Sequence, residues 1–381
     1  MAIPLADHCA CSGSFTADSI TTHDRYQQDI PLPELTPDYQ PQLVTKFVIQ
    51  RAVCNRCGKK QTGDGRKGDL GGAHVTLGPN VRLLVTHLVS VGGMSYHQVV
   101  SLLLTLYGLH VSDGEIANML HIQHEAWLPD YHQLQDSIRA SPVVHADETS
   151  WSIQELQGHS YAWDMCQAGG PKVCFAFENS RGALHARSLF GSRFNGVRIS
   201  DDYGVYRSPD LPGQQQLCWV HLYRVIRDLR YNSELPDDQA PNVRWWYEQF
   251  AQLYQQLRSW LQEPYDAVVR TNQAAELWRA VQALAVQTAP AVGEPQRLTR
   301  LKAQLKRAGQ DRLFTCLTSD TPCNNNRAER DLRQLVLKRK RSFGSKTQRG
   351  AQALATVLSL CTTTWREAAG NPTGYFSALA A

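Results

Sequence analysis

Apolar residues recur along the chain with changing spacing, and each spacing predicts a different kind of element. Between residues 78 and 140 the spacing is helical, through Val81, Leu84, Val85, Leu88 and Val89, then Val99, Leu102, Leu103 and Leu106. Ser112-Asp113-Gly114-Glu115 reads as a capping box, opening a further helix through Ile116, Met119, Leu120 and Trp127. From Pro142 the pattern changes to short β-branched and aromatic runs at 143–147, 159–165, 173–177 and 197–201. A helix is expected at 182–190, and a strand at 216–221 that passes into a helix carrying Arg224, Arg227 and Arg230. Helical spacing returns with Trp245, Trp246, Phe250, Leu253, Leu257, Trp260 and Leu261, and again over 274–286. A last helix starts after the turn at Asp320-Thr321-Pro322, where an Asn can cap. It places Glu329, Leu332 and Val336 on one face and directs Arg330, Lys338 and Arg341 elsewhere.

These elements make a mixed α/β protein. Three strands, helix, strand, helix, strand is the order of a ribonuclease-H-like fold. The expected organisation is a zinc-ribbon-like module over 1–70, a helical segment over 71–140, and a ribonuclease-H-like core over 141–231 and 319–381. A helical insertion over 232–318 interrupts the core. In such a fold the strands ending at Asp147 and Asp201 are neighbours, although 54 residues separate the two acids.

Charge sharpens this division. The formal net charge is only +4 over 381 residues, but no Lys or Arg occurs between Leu83 and Ile138. From Arg300 to Arg349 fourteen basic residues face four acids. A polyanion therefore fits the C-terminal part. The helix, Gly108 turn and capped helix near residue 112 resemble a helix-turn-helix, yet phosphate contacts dominate DNA affinity. That segment is better read as a packing or oligomerisation unit. No signal peptide or membrane span is expected, because acids, histidines and glycines interrupt each apolar run, and the expected location is cytoplasmic.

Ten cysteines in a chain of this length do not make a disulfide scaffold. Cys54-Asn55-Arg56-Cys57-Gly58-Lys59 resembles a zinc knuckle, in which the glycine lets two thiolates turn onto one ion. Cys11 is the expected third ligand, with either His8 or Cys9 as the fourth; the alternative is an empty vestigial ribbon.

Three acids stand at defined places: Asp147 at one strand end, Asp201 at another, and Glu329 near the start of the last helix. Each alone is ordinarily a solvated turn or helix-start carboxylate. Together they match a two-ion phosphoryl-transfer site, since three close carboxylates are tolerable mainly with cations between them. The run Lys338-Arg339-Lys340-Arg341, with Arg330 and Arg333, then reads as a phosphate track rather than a solvated basic face.

Four stretches together resemble the transposases of the insertion sequence 66 family, of the DDE superfamily: His145-Ala146-Asp147-Glu148-Thr149-Ser150-Trp151, Asp201-Asp202-Tyr203-Gly204, Cys218-Trp219-Val220-His221 and Asn325-Asn326-Arg327-Ala328-Glu329-Arg330. The resemblance implies Asp147, Asp201 and Glu329 as catalytic acids holding two Mg²⁺ ions, for which Mn²⁺ can substitute. It implies cleavage at element ends and joining to target DNA, a homodimer or higher oligomer, and accessory proteins of the element. Cys218 and His221 match a Cys-x-x-His feature and would support the site. The rival functions are a nuclease or resolvase that cuts without joining, and a non-catalytic DNA-binding regulator.

Overall fold

A computed structural model of the chain describes residues 2–29, 43–63, 75–286 and 293–380. It divides into two compact units, residues 1–126 with 364–381, and residues 127–363.

In the first unit, β1 (Ala2–Ile3), β2 (Thr21–Asp29), β3 (Leu43–Val53), β4 (Lys60–Thr62) and β5 (Val75–Leu77) form a sheet in the order β1-β3-β2-β5, with β4 also paired to β3. β3 coincides with a run, Leu43 to Val53, that reads as a strand in the sequence. The proline-rich stretch before it, Ile30 to Pro37, lies outside the described residues. This sheet buries a small cluster, Ile3, Phe47 and Ile49. Three helices follow: α1 (Pro79–Val89), α2 (Tyr96–Tyr107) and α3 (Asp113–Arg139), whose turns from residue 127 belong to the second unit. The Asp29 carboxylate accepts from Val81 N at 2.9 Å and so caps α1 from the end of β2. The box before α3 forms as expected: Ser112 N donates to Glu115 Oε2 at 2.7 Å, and Glu115 N donates to Ser112 Oγ at 3.2 Å.

The second unit is built on β6 (Val143–Trp151), β7 (Ser160–Gln167), β8 (Val173–Glu178), β9 (Val197–Ser200) and β10 (Gln214–Leu217), with α4 (Ala183–Phe190) after β8. The sheet order is β10-β9-β6-β7-β8. β9 pairs in parallel with β6 and β10, while β7 runs antiparallel to β6 and β8. Between β9 and β10 stands a single 3-10 turn, Gly204–Arg207. Alternation along the strands sorts the two faces. Val144, Ala146, Trp163 and Met165 pack with Tyr131, Leu134 and Ile138 of α3 and with Leu189 and Phe190 of α4.

After β10 come α5 (Trp219–Arg230), α6 (Ala240–Trp260), α7 (Ala267–Val286), α8 (Gln296–Leu313) and α9 (Thr315–Thr318). Their tryptophans behave mainly as core. Trp219, Leu222, Ile226 and Leu229 of α5 join Trp246 and Phe250 of α6, Leu277 and Val281 of α7, and Leu301 and Leu305 of α8 in one cluster. The stretch between 232 and 318 therefore completes its core on the helix that leaves β10. Then α10 (Asn326–Ser342) covers β6 and β7, and α11 (Gln348–Glu367) closes the sheet edge. Ser359 Oγ and Thr363 Oγ1 of α11 accept from Phe175 N and Val173 N of β8, at 2.8 and 3.1 Å. This satisfies backbone donors that an edge strand would otherwise expose. The last helix, α12 (Pro372–Ala380), returns to the first unit, where Tyr375 meets His87 edge-on. Among the described residues no helix is long and apolar enough to cross a membrane.

Candidate active site

Parallel pairing brings the two strand acids level. Val143, Val144 and His145 of β6 face Val197, Arg198 and Ile199 of β9. Continuing that register by two residues sets Asp147 opposite Asp201, just where β9 ends. β6 itself does not end there, as the sequence suggests; it continues to Trp151 because β7 remains paired with it throughout. Asp147 thus sits at the point where one neighbour strand leaves and an opening appears. Its carboxyl is pushed up to about 8 by burial first, then by the negative charges of Glu148, Asp201 and Glu329. Glu148 N donates to Asp147 Oδ1 at 2.9 Å, and Tyr203 N donates to Asp201 Oδ1 at 2.9 Å, so each acid is oriented by its own chain.

Glu329 enters from the first turn of α10, and α5 fixes that turn. Cys218 Sγ accepts from Asn325 N at 3.1 Å, and Cys323 O accepts from Trp219 N at 2.9 Å. Asn325 is wholly buried and does not cap α10 with its side chain. Its amide donates to Ala146 O at 2.9 Å and meets His145 Nδ1 at 3.2 Å, tying α10 to β6. Burial holds His145 down at about 4, hence neutral. The Glu329 carboxylate receives Arg224 Nη1 at 2.9 and 3.0 Å and lies 3.4 Å from His221 Nε2. Donor atoms of Cys218, His221 and Glu329 all lie within 4.8 Å of one another. Asp147, Asp201 and Glu329 feel one another's charge but do not form so tight a cluster. Like charges repel, and the Arg224 guanidinium draws Glu329 to α5.

Asp202 turns the other way. Its carboxylate meets Arg312 at 2.7 Å and Arg307 at 2.8 Å, both on α8. Glu148 also leaves the opening, on the opposite face of β6 from Asp147. Arg181 Nε donates to its Oε1 at 2.6 Å, Tyr206 OH donates to Oε2, and its side chain is fully buried. The Arg181 guanidinium also stacks 3.6 Å above the Tyr203 ring. It therefore ties the middle of β6 to the segment that follows β9.

A second cluster lies in the first unit. Cys9 and Cys57 Sγ atoms are 3.6 Å apart, those of Cys11 and Cys54 are 3.5 Å apart, and all four lie within 4.8 Å. Cys9, rather than the exposed His8, completes the set. The tight Cys-x-Cys spacing closes through Ser12, at φ 63°, whose N–H donates to Cys9 O at 2.7 Å. Gly13 is required beside it, since a Cβ there would fall 2.7 Å from Cys54 Sγ. The Cys57 backbone N–H, first among several donors, pulls Cys54 down to about 6, while Cys11 is pushed up to about 12, mainly by its hydrogen bond with Cys57. Four sulfurs in one cradle, one already thiolate-prone, can hold a structural zinc ion.

A model of the family described as Transposase IS66 family matches residues 78–353. The chain belongs to the IS66 family of transposases. The uncharacterized protein y4jO of Sinorhizobium fredii (strain NBRC 101917 / NGR234) is 29% identical over 182 residues, 48% of this chain. The aligned part is 51% of that protein, so the chain spans about half the length of the curated relative it matches. The span shared with the IS66 family contains the strand acids, Glu329 and the basic run, but not the four-cysteine sheet.

The basic run of this IS66-family chain is not uniform. Arg330, Arg333, Lys340 and Arg341 are exposed. Arg339 Nη1 bonds to Ser150 O and Ser150 Oγ at the end of β6. Lys338 is buried, 8% exposed, in the stripe Ala328, Asp331, Leu335, Lys338, and desolvation lowers it to about 8. It cannot track phosphates from there, contrary to the sequence expectation. The roles of Glu148, Arg181 and Tyr206 leave no mark in the pattern, whereas that of Arg224 does: Cys218, His221 and Arg224 recur every third residue from the cap of α5 onward.

Proposed function

We propose that this chain is a DDE transposase with a ribonuclease-H-like core, cutting DNA at element ends and joining the freed 3′ ends to target DNA. The observation that carries the reading is the β6–β9 register, which sets Asp147 level with Asp201, together with the packing on β6 of the helix that bears Glu329. The sheet order β10-β9-β6-β7-β8, with both strand acids beside the central parallel pair, supports the same core. So does the helix α10 that carries the third acid across β6.

An oxygen-only donor set of three carboxylates fits Mg²⁺. When bound, such ions activate an attacking oxygen and stabilise the leaving one in an in-line displacement. Asp147 would hold them from within β6, Asp201 from the end of β9 and Glu329 from α10. Arg224 and His221 orient Glu329, Asn325 keeps α10 docked on β6, and Arg181 ties β6 to the segment after β9. Exposed Arg330, Arg333, Lys340 and Arg341 line the same helix and would carry the DNA backbone. A homodimer or larger assembly on paired element ends belongs to the same proposal.

The test is incubation of the full chain with labelled element-end duplex and Mg²⁺, scoring nicks and joined products. Both products are expected. Nicks without joining would assign a nuclease, and binding with neither product a regulator. Changing Lys340 and Arg341 to Ala should flatten the salt dependence of DNA binding, by roughly 0.9 log unit of slope per lost phosphate contact. Lys338→Ala should leave that slope unchanged.

A further inference from the structure

Where α10 ends, the chain places an aromatic ring in an unusual setting. Phe343 is 75% exposed, the most exposed aromatic side chain of the described residues. It also occupies the left-handed region, at φ 59° and ψ 12°, as the C-terminal cap of the helix. That region is crowded for any residue with a Cβ, and glycine is the usual choice for it. Here the glycine comes one position later, at Gly344. Neither burial nor backbone preference therefore accounts for a phenylalanine at 343.

The corner that presents the ring is firmly held. Phe343 N donates to Arg339 O at 2.8 Å. Gly344 runs so close to the chain beyond β6 that a Cβ there would fall 2.1 Å from Ser152 O. Ser345 N donates to Ser152 O at 2.8 Å, Gln154 N to Ser345 O at 2.9 Å, and Glu155 N to Lys346 O at 3.0 Å. Trp151 Nε1 adds a bond to Ser345 Oγ at 3.1 Å. Lys340, Arg341 and Lys346, all within three residues of Phe343 along the chain, are exposed, while the Glu155 carboxylate accepts from Gln348 N at 2.8 Å. The helix carrying Glu329 thus ends, about 21 Å farther along its axis, in a rigid aromatic point within positive charge.

We infer that Phe343 is a stacking platform for an unpaired base of the bound DNA, held there by the basic residues around it. This rests on the DNA reading above and adds the state of the DNA: a duplex opened at one position, some way along from the reacting phosphate. Base–aromatic stacking is sequence-tolerant because every base offers a π face, and its loss on truncation to Ala is about five- to a hundredfold in affinity.

The experiment compares binding of the full chain to a short duplex containing one unpaired base and to the same duplex fully paired. Wild-type protein should prefer the unpaired-base duplex. Phe343→Ala should lose that preference, weakening this complex about five- to a hundredfold and the paired one by less than about twofold. Phe343→Trp should restore it, whereas Lys340→Ala should weaken both complexes alike. Phe343→Gly should lose the preference yet melt no lower than wild type, because glycine suits the left-handed cap. If wild type binds DNA but Phe343→Ala binds both duplexes as wild type does, the stacking role is overturned and the DNA reading stands. If Phe343→Ala instead changes the oligomeric state and leaves DNA binding intact, the ring serves a second copy of the chain and the inference falls. If wild type binds neither duplex, both readings fall.

Discussion

The protein gathers like donors in two places, and the two differ in how the gathering is achieved. The four thiols come from two short turns of one small sheet, Cys9 with Cys11 and Cys54 with Cys57. That sheet buries little besides Ile3, Phe47 and Ile49. The three carboxylates come from two strands and a distant helix, in a unit that holds two large packed cores. In the first case the turns are held by local hydrogen bonds such as Cys9 N to Gly13 O and Asn55 N to Ser14 O, with little apolar packing beneath them. In the second the fold is secure and can tolerate charges that repel one another. A small module with such a core depends on an added crosslink, whereas a larger one can store an unfavourable arrangement as a reactive site.

The widest separation between the two should appear on removing zinc. Chelation, or Cys54→Ser, should unfold the N-terminal sheet, since structural zinc contributes on the order of 10 kcal/mol in apparent folding free energy. Elemental analysis should find about one zinc per chain beforehand, and the thermal transition of the second unit should survive. Well under half an equivalent of zinc would remove the contrast.

The acids should behave in the opposite way. Asp147→Asn, Asp201→Asn and Glu329→Gln should fold and bind DNA but lose roughly a thousandfold or more in nicking and joining. Asp202→Asn should keep its chemistry and lose stability instead, because its carboxylate is held by Arg307 and Arg312 rather than by the opening. Wild-type cleavage by all three acid variants would end the two-ion reading.

A smaller effect is expected at the clasp. Arg181→Met leaves the buried Glu148 with Tyr206 alone and should cost about 2 kcal/mol, less than a fully buried pair because Arg181 is partly exposed. Combining it with Glu148→Gln should recover part of the loss, which melting of the single and double variants would reveal. Independent, additive losses would mean that the pair does not act as a unit.

A further effect is carried by one proton. Asp147 titrates near 8 instead of its ordinary 3.8, so between those pH values the folded chain keeps a proton that the unfolded chain has lost. In Mg²⁺-free buffer stability should therefore fall as pH rises across that window, and Asp147→Asn should flatten the slope. Adding Mg²⁺ at pH 7 should release about one proton per chain, measurable by calorimetry in buffers of different ionisation heat.

Much of this was legible in the sequence because it is local. The box at Ser112 and Glu115, the strand over Leu43–Val53 and the turn at Cys54 to Cys57 each depend on residues a few positions apart. Periodicity also located the helices Ala240–Trp260 and Ala267–Val286, since spacing along a chain survives folding. Tertiary structure alone decided the rest. It carried β6 past Asp147, chose Cys9 over His8, sent Asp202 to α8 and Glu148 to Arg181, and turned Lys338 into the core. Adjacent residues on a strand point to opposite faces, and a helix residue's burial depends on which side meets the sheet. A row of charges in sequence is therefore divided among different surroundings only once its neighbours in space are in place.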